Sequence, residues 1–240
     1  GYFPCAPAKN PNERFKYDAQ TGHITSLCAA SECSEYHGQC VTGAGPPPPP
    51  PPPYNGSLLW PKPQAESASG PPLLLSPRFR VAYSGASSVA KDAAQRYTAI
   101  IQAQVTRGAG SVQQSTAMLT ELVLHIEDES DALTNWSRSE NYTIAVVDGR
   151  ATAAADTPFG ALRACESFAQ LVENITTGGV GLRHDNIQIT DWPEYPHRQI
   201  LLDTSRRFYE VTFVKEILDA MSYAKLNVLH LHLTDFGRFS

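Results

Sequence analysis

Long apolar runs are missing from this sequence. No stretch of its 240 residues approaches the roughly 18 to 20 needed to cross a bilayer as a helix, so a soluble chain without membrane partners is expected. Dense Lys/Arg runs are missing as well, and the formal net charge is −5. Nucleic acid and anionic membrane surfaces need a basic stripe to displace counterions. Neither is expected as a partner, and a weakly acidic surface suits a neutral substrate. Cysteine is scarce beyond residue 40, where only Cys165 is found. No close Cys-x-x-Cys pair occurs, and His23 and His37 lack zinc-finger spacing, which weakens a metal reading of the cysteines. The start, Gly1-Tyr2-Phe3-Pro4-Cys5, has neither an initiating Met nor a signal-type apolar region. A processed N-terminus is expected to read this way.

What is present divides the chain into four parts. Residues 1–45 hold Cys5, Cys28, Cys33 and Cys40, and Cys33 to Cys40 resembles the C-terminal half of an EGF-like loop. A segment so short buries too little apolar surface to fold alone, so two disulfides of open connectivity are expected to staple it. Residues 46–57 begin with an unbroken run from Pro46 to Pro53, which reads as a polyproline II spacer. Four Asn-x-Ser/Thr sites, at Asn55, Asn135, Asn141 and Asn174, are candidate N-glycosylation acceptors. With the clustered cysteines they point to a secreted, lysosomal or vacuolar protein.

Residues 58–191 alternate strand and helix patterns. Leu122, Leu124 and Ile126 mark one strand and Tyr142 to Val147 another. Ala94, Tyr97, Ile101 and Val105 form one helical face, and Leu162, Cys165, Phe168, Ala169 and Val172 a second. An α+β domain with helices on one side of a sheet is expected. Cys165 on its apolar face reads as a buried free thiol rather than a nucleophile.

Residues 192–240 read as strand (His197 to Asp203), amphipathic helix with Thr212 as N-cap, and strand (Val228 to Leu233). Strands joined by a crossover helix are parallel, and this is how a (β/α)8 barrel begins. Such a barrel takes roughly 250 residues. The sequence is therefore expected to continue past Ser240, or to be completed by a processed chain or partner.

Barrel active sites lie at the C-terminal ends of the strands, which puts Asp203 and Asp235 in view. Either carboxylate could orient a sugar hydroxyl or act in acid/base work, and Arg198 could give a forked donor to neighbouring hydroxyls. A plainer reading has Asp203 capping its turn and pairing with Arg206. His230 and His232 share a strand face. They fit packing inside a barrel, or the zinc pair of a metal-dependent hydrolase, although such pairs usually come from a first strand.

The string His197-Arg198, Leu201-Leu202-Asp203-Thr204-Ser205-Arg206, Asp219-Ala220-Met221-Ser222-Tyr223 and Lys225-Leu226-Asn227-Val228-Leu229-His230, with His232 and Asp235, resembles the opening of family 20 glycoside hydrolases. These are the β-N-acetylhexosaminidases. Upstream, Leu59-Trp60-Pro61-Lys62-Pro63-Gln64 and Phe159-Gly160-Ala161-Leu162-Arg163, with Glu166, Phe168, Gln170 and Leu171, resemble the α+β domain before their barrel. The likeness runs from about residue 58 to 240. It implies removal of terminal β-linked GlcNAc or GalNAc from glycans or chitin oligosaccharides by substrate-assisted retaining hydrolysis, without cofactor or metal.

The family's catalytic Asp-Glu pair would lie on a fourth strand beyond this sequence, leaving no catalytic residue in the chain. The resemblance assigns Arg198 to the 3- and 4-hydroxyls of the terminal sugar, and Asp235, with Asp203 and His232, to a supporting polar network. Gln199, Leu231 and Phe236 depart from the usual Gly, Trp and Asp or Ser. Dimerisation, common in the family, is a further implied assembly. The alternative reading is a non-catalytic secreted scaffold or glycan-binding component built on a hexosaminidase-like fragment.

Overall fold

The computed structural model describes residues 59–108, 118–132, 138–175 and 178–236, with the backbone of two strands nearer the N-terminus, β1 (Phe15–Asp18) and β2 (His23–Ser26). These two pair antiparallel, Phe15 opposite Ser26 and Asp18 opposite His23. They belong to a separate unit, Gly1–Asn55. The expectations for Cys5, Cys28, Cys33, Cys40, the proline run, Asn55 and Asn135 lie outside the described residues.

The second unit begins with a mixed sheet. Its strands are β3 (Ala65–Ser69), β4 (Leu73–Ala82), β5 (Leu119–Ile126), β6 (Tyr142–Val147), β7 (Arg150–Ala155), β8 (Val172–Asn174), β9 (Val180–Leu182) and β10 (Asn186–Asp191). Their order is β3-β10-β6-β7-β5-β4-β9-β8. β5 pairs parallel with β4 and with β7, and the other pairings are antiparallel. Helix α1 (Ser88–Arg107) is the crossover between the parallel strands β4 and β5, while β5 reaches its other parallel neighbour, β7, by way of β6, and α2 (Pro158–Leu171) follows β7.

Both helices start on chemical signals. Ser87 caps α1, its hydroxyl accepting from the N–H of Ala90 at 3.0 Å. Thr157 caps α2 from an extended backbone and is followed by Pro158, a residue whose missing N–H costs nothing in a first turn. The predicted faces are the buried ones: Ala94, Tyr97, Ile101 and Val105 on α1, and Cys165, Phe168 and Ala169 on α2. They join Leu122, Leu124, Ile144, Val146, Ile187 and Ile189 in one apolar cluster, with Phe79 stacked on Phe168 at 5.5 Å. The alternate residues Thr143, Ala154, Gln188 and Thr190 are exposed, so the sheet is covered on one face, as expected for this domain. Cys165 is a free, buried thiol, pushed up to about 12 first by burial and then by Glu166.

A parallel strand-helix-strand unit follows: β11 (Gln199–Asp203), α3 (Val211–Tyr223) and β12 (Val228–His232). Gln199 pairs with Val228 and Asp203 with His232. Thr212 is not the N-cap of α3. Glu210 holds that position without a side-chain capping bond, and Thr212 lies within the first turn, its hydroxyl 3.4 Å from Glu210 Oε2. The extended backbone of Glu210 fixes the start, which side-chain preference alone does not locate.

Candidate active-site end of the βαβ unit

At the C-terminal end of β11, Asp203 turns the chain over itself. Its Oδ1 accepts from the N–H groups of Ser205 at 3.0 Å and Arg206 at 3.1 Å, a side-chain imitation of a backbone turn. That turn brings Arg206 back over the strand end. Its Nη1 donates to Asp203 Oδ2 at 2.7 Å, and its Nη2 donates to Asp235 Oδ2. One guanidinium thus bridges the carboxylates that follow the two strands. The two readings of Asp203 coincide here, since it caps the turn and also stands in the cluster.

The other end of the turn is tied to β12. The N–H groups of Thr204 and Ser205 donate to the carbonyl of His232 at 3.0 and 3.1 Å. The ring Nε2 of His232 is 3.6 Å from Asp235 Oδ2, outside hydrogen-bonding range. Asp235 is held below the ordinary carboxylate range, first by the N–H of Phe236 and then by the charge of Arg206. Asp203 is also lowered: partial burial opposes ionisation, but the backbone and guanidinium donors of Arg206 and the N–H of Ser205 outweigh it. Both are anions at neutral pH, and Arg206 remains 70% exposed with donors free to turn outward. Among the described residues no group of three or more His, Cys, Asp or Glu side chains gathers at metal-binding distance, so His230 and His232 gain no further ligand.

Arg198 is not part of this cluster. It precedes β11, and the strand's five residues place it about 17 Å from Asp203 at 3.3 Å per residue. Its guanidinium is engaged on the α+β domain side: Nη2 donates to Glu140 Oε2 at 2.5 Å, Nη1 to the Tyr195 carbonyl at 2.7 Å and Nε to the Lys225 carbonyl at 2.9 Å. A side chain so occupied at the start of the strand stands apart from the cluster of Asp203, Arg206 and Asp235 at its end. The arginine at the right end is Arg206. The rule that barrel sites lie at strand C-termini carries that signal, because Arg198 comes before the strand and Arg206 after it.

The N-terminal ends of the strands carry a second polar assembly that sequence reading missed. Glu140 accepts from Arg198, from Arg163 Nε at 2.6 Å and from Asn227 Nδ2 at 3.2 Å. Lys225 Nζ donates to Tyr142 Oη at 2.8 Å and to Asp191 Oδ2 at 3.0 Å, and lies 5.1 Å from the centre of the Tyr142 ring. Burial presses Lys225 below the ordinary lysine value, with Asp191 acting against that shift. The Tyr97 hydroxyl donates to Glu166 at 2.8 Å and is 3.3 Å from Ser222 Oγ. Arg163, Glu166, Arg198, Ser222, Lys225 and Asn227 stand in the strings that carry the resemblance, but their contacts with one another and with Glu140, Tyr142 and Asp191 are not signalled there, because the partners are distant in sequence.

Of the described sequons, Asn141 is exposed just before β6 and Asn174 is exposed at the end of β8.

The fold and the bridged carboxylates define a class: a sheet domain leading into the first strands of a barrel enzyme, with charged groups where such enzymes hold substrate. Residues 59–171 match the family described as beta-acetyl hexosaminidase like, and residues 195–239 match the catalytic domain of glycosyl hydrolase family 20. The β-hexosaminidase subunit beta of Sus scrofa is 36% identical over 189 residues, which are 75% of this chain and 35% of that protein. The human subunit beta is 38% identical over 128 residues, 52% of this chain and 23% of that protein. Among solved structures, the chitobiase of Flavobacterium johnsoniae has a TM-score of 0.62 at 28% identity, covering 74% of this chain and 27% of that one. This is a partial β-hexosaminidase-like chain of glycosyl hydrolase family 20. It spans about a third of the length of the curated relatives it matches.

Proposed function

We propose that this chain supplies the supporting α+β domain and the first βαβ unit of the barrel in a β-N-acetylhexosaminidase. That enzyme releases terminal β-linked GlcNAc or GalNAc from glycans or chitin oligosaccharides. The observation that carries this reading is Arg206 bridging Asp203 and Asp235 at the C-terminal strand ends. A guanidinium fork beside two anionic acceptors is suited to the adjacent hydroxyls of a sugar ring: Arg206 donates and Asp235 accepts. Arg206 here takes the place that the resemblance gave to Arg198.

In the family mechanism the sugar's own 2-acetamido oxygen attacks the anomeric carbon while a glutamic acid protonates the departing oxygen. Water then opens the resulting intermediate with net retention. The Asp-Glu pair that orients the acetamide and gives the proton is to come from a later strand. Ile200, Leu201 and Leu231 are exposed on β11 and β12, and parallel strands need both faces covered. Further strands and helices of the barrel are the natural cover.

The sequons and the cysteine cluster support passage through the secretory pathway to the outside or to a lysosome or vacuole. On this reading residues 1–45 form a disulfide-stapled module and 46–57 a rigid spacer, as an appendage to residues 58–191 and 192–240. The enzyme in its dimeric form is the implied assembly. The test is release of a chromophore from aryl β-GlcNAc and β-GalNAc by the full-length protein and by Arg206→Gln. Release lost on that substitution, with folding retained, supports the reading; no release by the unaltered protein refutes it in favour of a scaffold.

A further inference from the structure

Helix α3 ends in a way that calls for glycine and does not have it. The N–H of Leu226 donates to the Met221 carbonyl at 2.8 Å, and that of Lys225 to the Ser222 carbonyl at 3.1 Å. With Ala224 as C-cap, this is the Schellman pattern, whose left-handed residue is usually Gly because a Cβ is penalised there. Lys225 occupies it at φ 54°. A strained non-glycine position asks what its side chain does.

The side chain is buried in the sheet domain on Asp191 and Tyr142, which oppose each other where β10 and β6 pair. Its backbone serves the strands. The Lys225 carbonyl accepts from Arg198 Nε, the Arg198 N–H donates to Asn227 Oδ1 at 2.9 Å, and the Arg198 carbonyl accepts from the N–H groups of Asn227 and Val228. Both strands therefore start from one tied point. They then run in register for five pairs to Asp203 and His232, where the turn bearing Arg206 is fastened. A shift at the tied point is carried along both strands to the charged cluster, since the paired strands move as one piece.

We propose that Lys225 is a positioning residue for the Arg206, Asp203 and Asp235 cluster: its ammonium, seated on Asp191 and Tyr142, fixes where β11 and β12 begin. The proposal deepens the hexosaminidase reading and rests on it for the identity of the ligand, though not for the geometry. Lys225 touches no substrate. It acts through Arg198 and the strand starts.

Lys225→Gly in the full-length protein separates this role from that of a helix end. Glycine relieves the left-handed strain, so a lysine serving only to end the helix would be replaced without loss. The expected result is amide hydrogen exchange at 199–203 and 228–232 at least about tenfold faster, with 119–126 unchanged. For aryl β-GlcNAc, KM is expected to rise about fivefold with kcat altered less, because the displaced groups hold the sugar equally in the ground and transition states. Asp191→Asn is expected to reproduce the pattern. Should either variant fail to fold, Lys225→Arg, which keeps the charge at a different length, is read by the same exchange measurement and is expected to show a smaller effect confined to those strands.

Unchanged exchange and KM in Lys225→Gly, or acceleration spread evenly over the sheet, would overturn the proposal. If the unaltered protein cleaves no β-GlcNAc, the hexosaminidase reading fails while the exchange measurement still decides the role of Lys225.

Discussion

The hydroxyl of Tyr142 donates to Asp191 Oδ2 at 2.6 Å, across the pairing that sets these two residues opposite each other on β6 and β10. Lys225 approaches the same carboxylate oxygen, and Ser167 Oγ lies 2.6 Å from the tyrosine hydroxyl. A buried group with this many partners makes its loss costly.

Tyr142→Phe is expected to lower stability by about 1–3 kcal/mol, the penalty for leaving buried partners unsatisfied, as read by urea unfolding. Burial, and then the Asp191 charge, push the Tyr142 hydroxyl far above its ordinary value of 10.0. A raised value in the folded state contributes stability that is fully present below the unfolded value and is lost as pH rises past it. Spectroscopic titration of tyrosinate is therefore expected to show Tyr142 ionising only as the protein unfolds in alkali, and stability falling above about pH 10.

The start of α1 has the opposite dependence. Asp131 accepts from the hydroxyls of Ser87 and Ser88 and from the Ser88 N–H, which together bring it down to about 2. Its contribution is present above the ordinary carboxylate value and lost as pH falls toward 2. Asp131→Asn is expected to melt earlier than the unaltered protein at pH 6, with the gap closing in acid, as measured by thermal melts over a pH series. Ser87→Ala is expected to cost about 1 kcal/mol at neutral pH as a lost N-cap.

The two arginines are expected to fail differently. Arg206→Gln keeps a donor but loses the charged fork, so kcat/KM for aryl β-GlcNAc should fall by a factor equivalent to about 2 kcal/mol with little change in melting temperature. Arg198→Met leaves Glu140 with one cationic partner in a poorly solvated position. About 1–3 kcal/mol of stability should be lost, the penalty for leaving a buried acceptor short of a partner, since Arg163 still pairs with Glu140. Kinetics and melting curves on both variants check the assignment; the reverse pattern would restore Arg198 as the sugar ligand.

Cys165 is expected to ignore a thiol reagent in the native protein and to react stoichiometrically once denatured, because only the thiolate attacks and burial opposes its formation. A time course with an aromatic disulfide reagent, with and without guanidinium, reads this directly.

Much of the sheet domain was legible because its information is periodic. The alternation around Leu122 and Leu124 and the helical faces through Tyr97 and Phe168 express burial against a single core, and burial is what periodicity reports. That Asp203 and Asp235 stand together at the C-terminal strand ends was legible from the barrel rule. The engagement of Arg198 at the opposite end was not, because resemblance by neighbouring letters carries no direction of the strand. The pairings of Glu140, Lys225 and Asp191 were illegible for another reason: a buried ion pair is made by residues far apart in the chain, and each alone looks like an ordinary surface charge. The cap of α3 depended on the backbone of Glu210, which composition does not encode.

The apolar cluster uniting the sheet with α1 and α2 includes no residue of β11, α3 or β12. Those elements are joined to it by ion pairs and hydrogen bonds, such as Arg96 to Asp219 at 2.9 Å, so the two regions differ in heat capacity as well as in position. Releasing the strands and α3 exposes little hydrocarbon, and the associated heat-capacity increment is correspondingly small beside that of opening the sheet domain. Salt screens exposed charges far more than buried ones, so at that junction it reaches Arg96 and Asp219 and largely spares the buried pairs Lys225–Asp191 and Arg198–Glu140. The joint between the two regions is thus electrostatic in kind yet largely closed to dissolved ions, and it keeps its grip in brine as in dilute buffer.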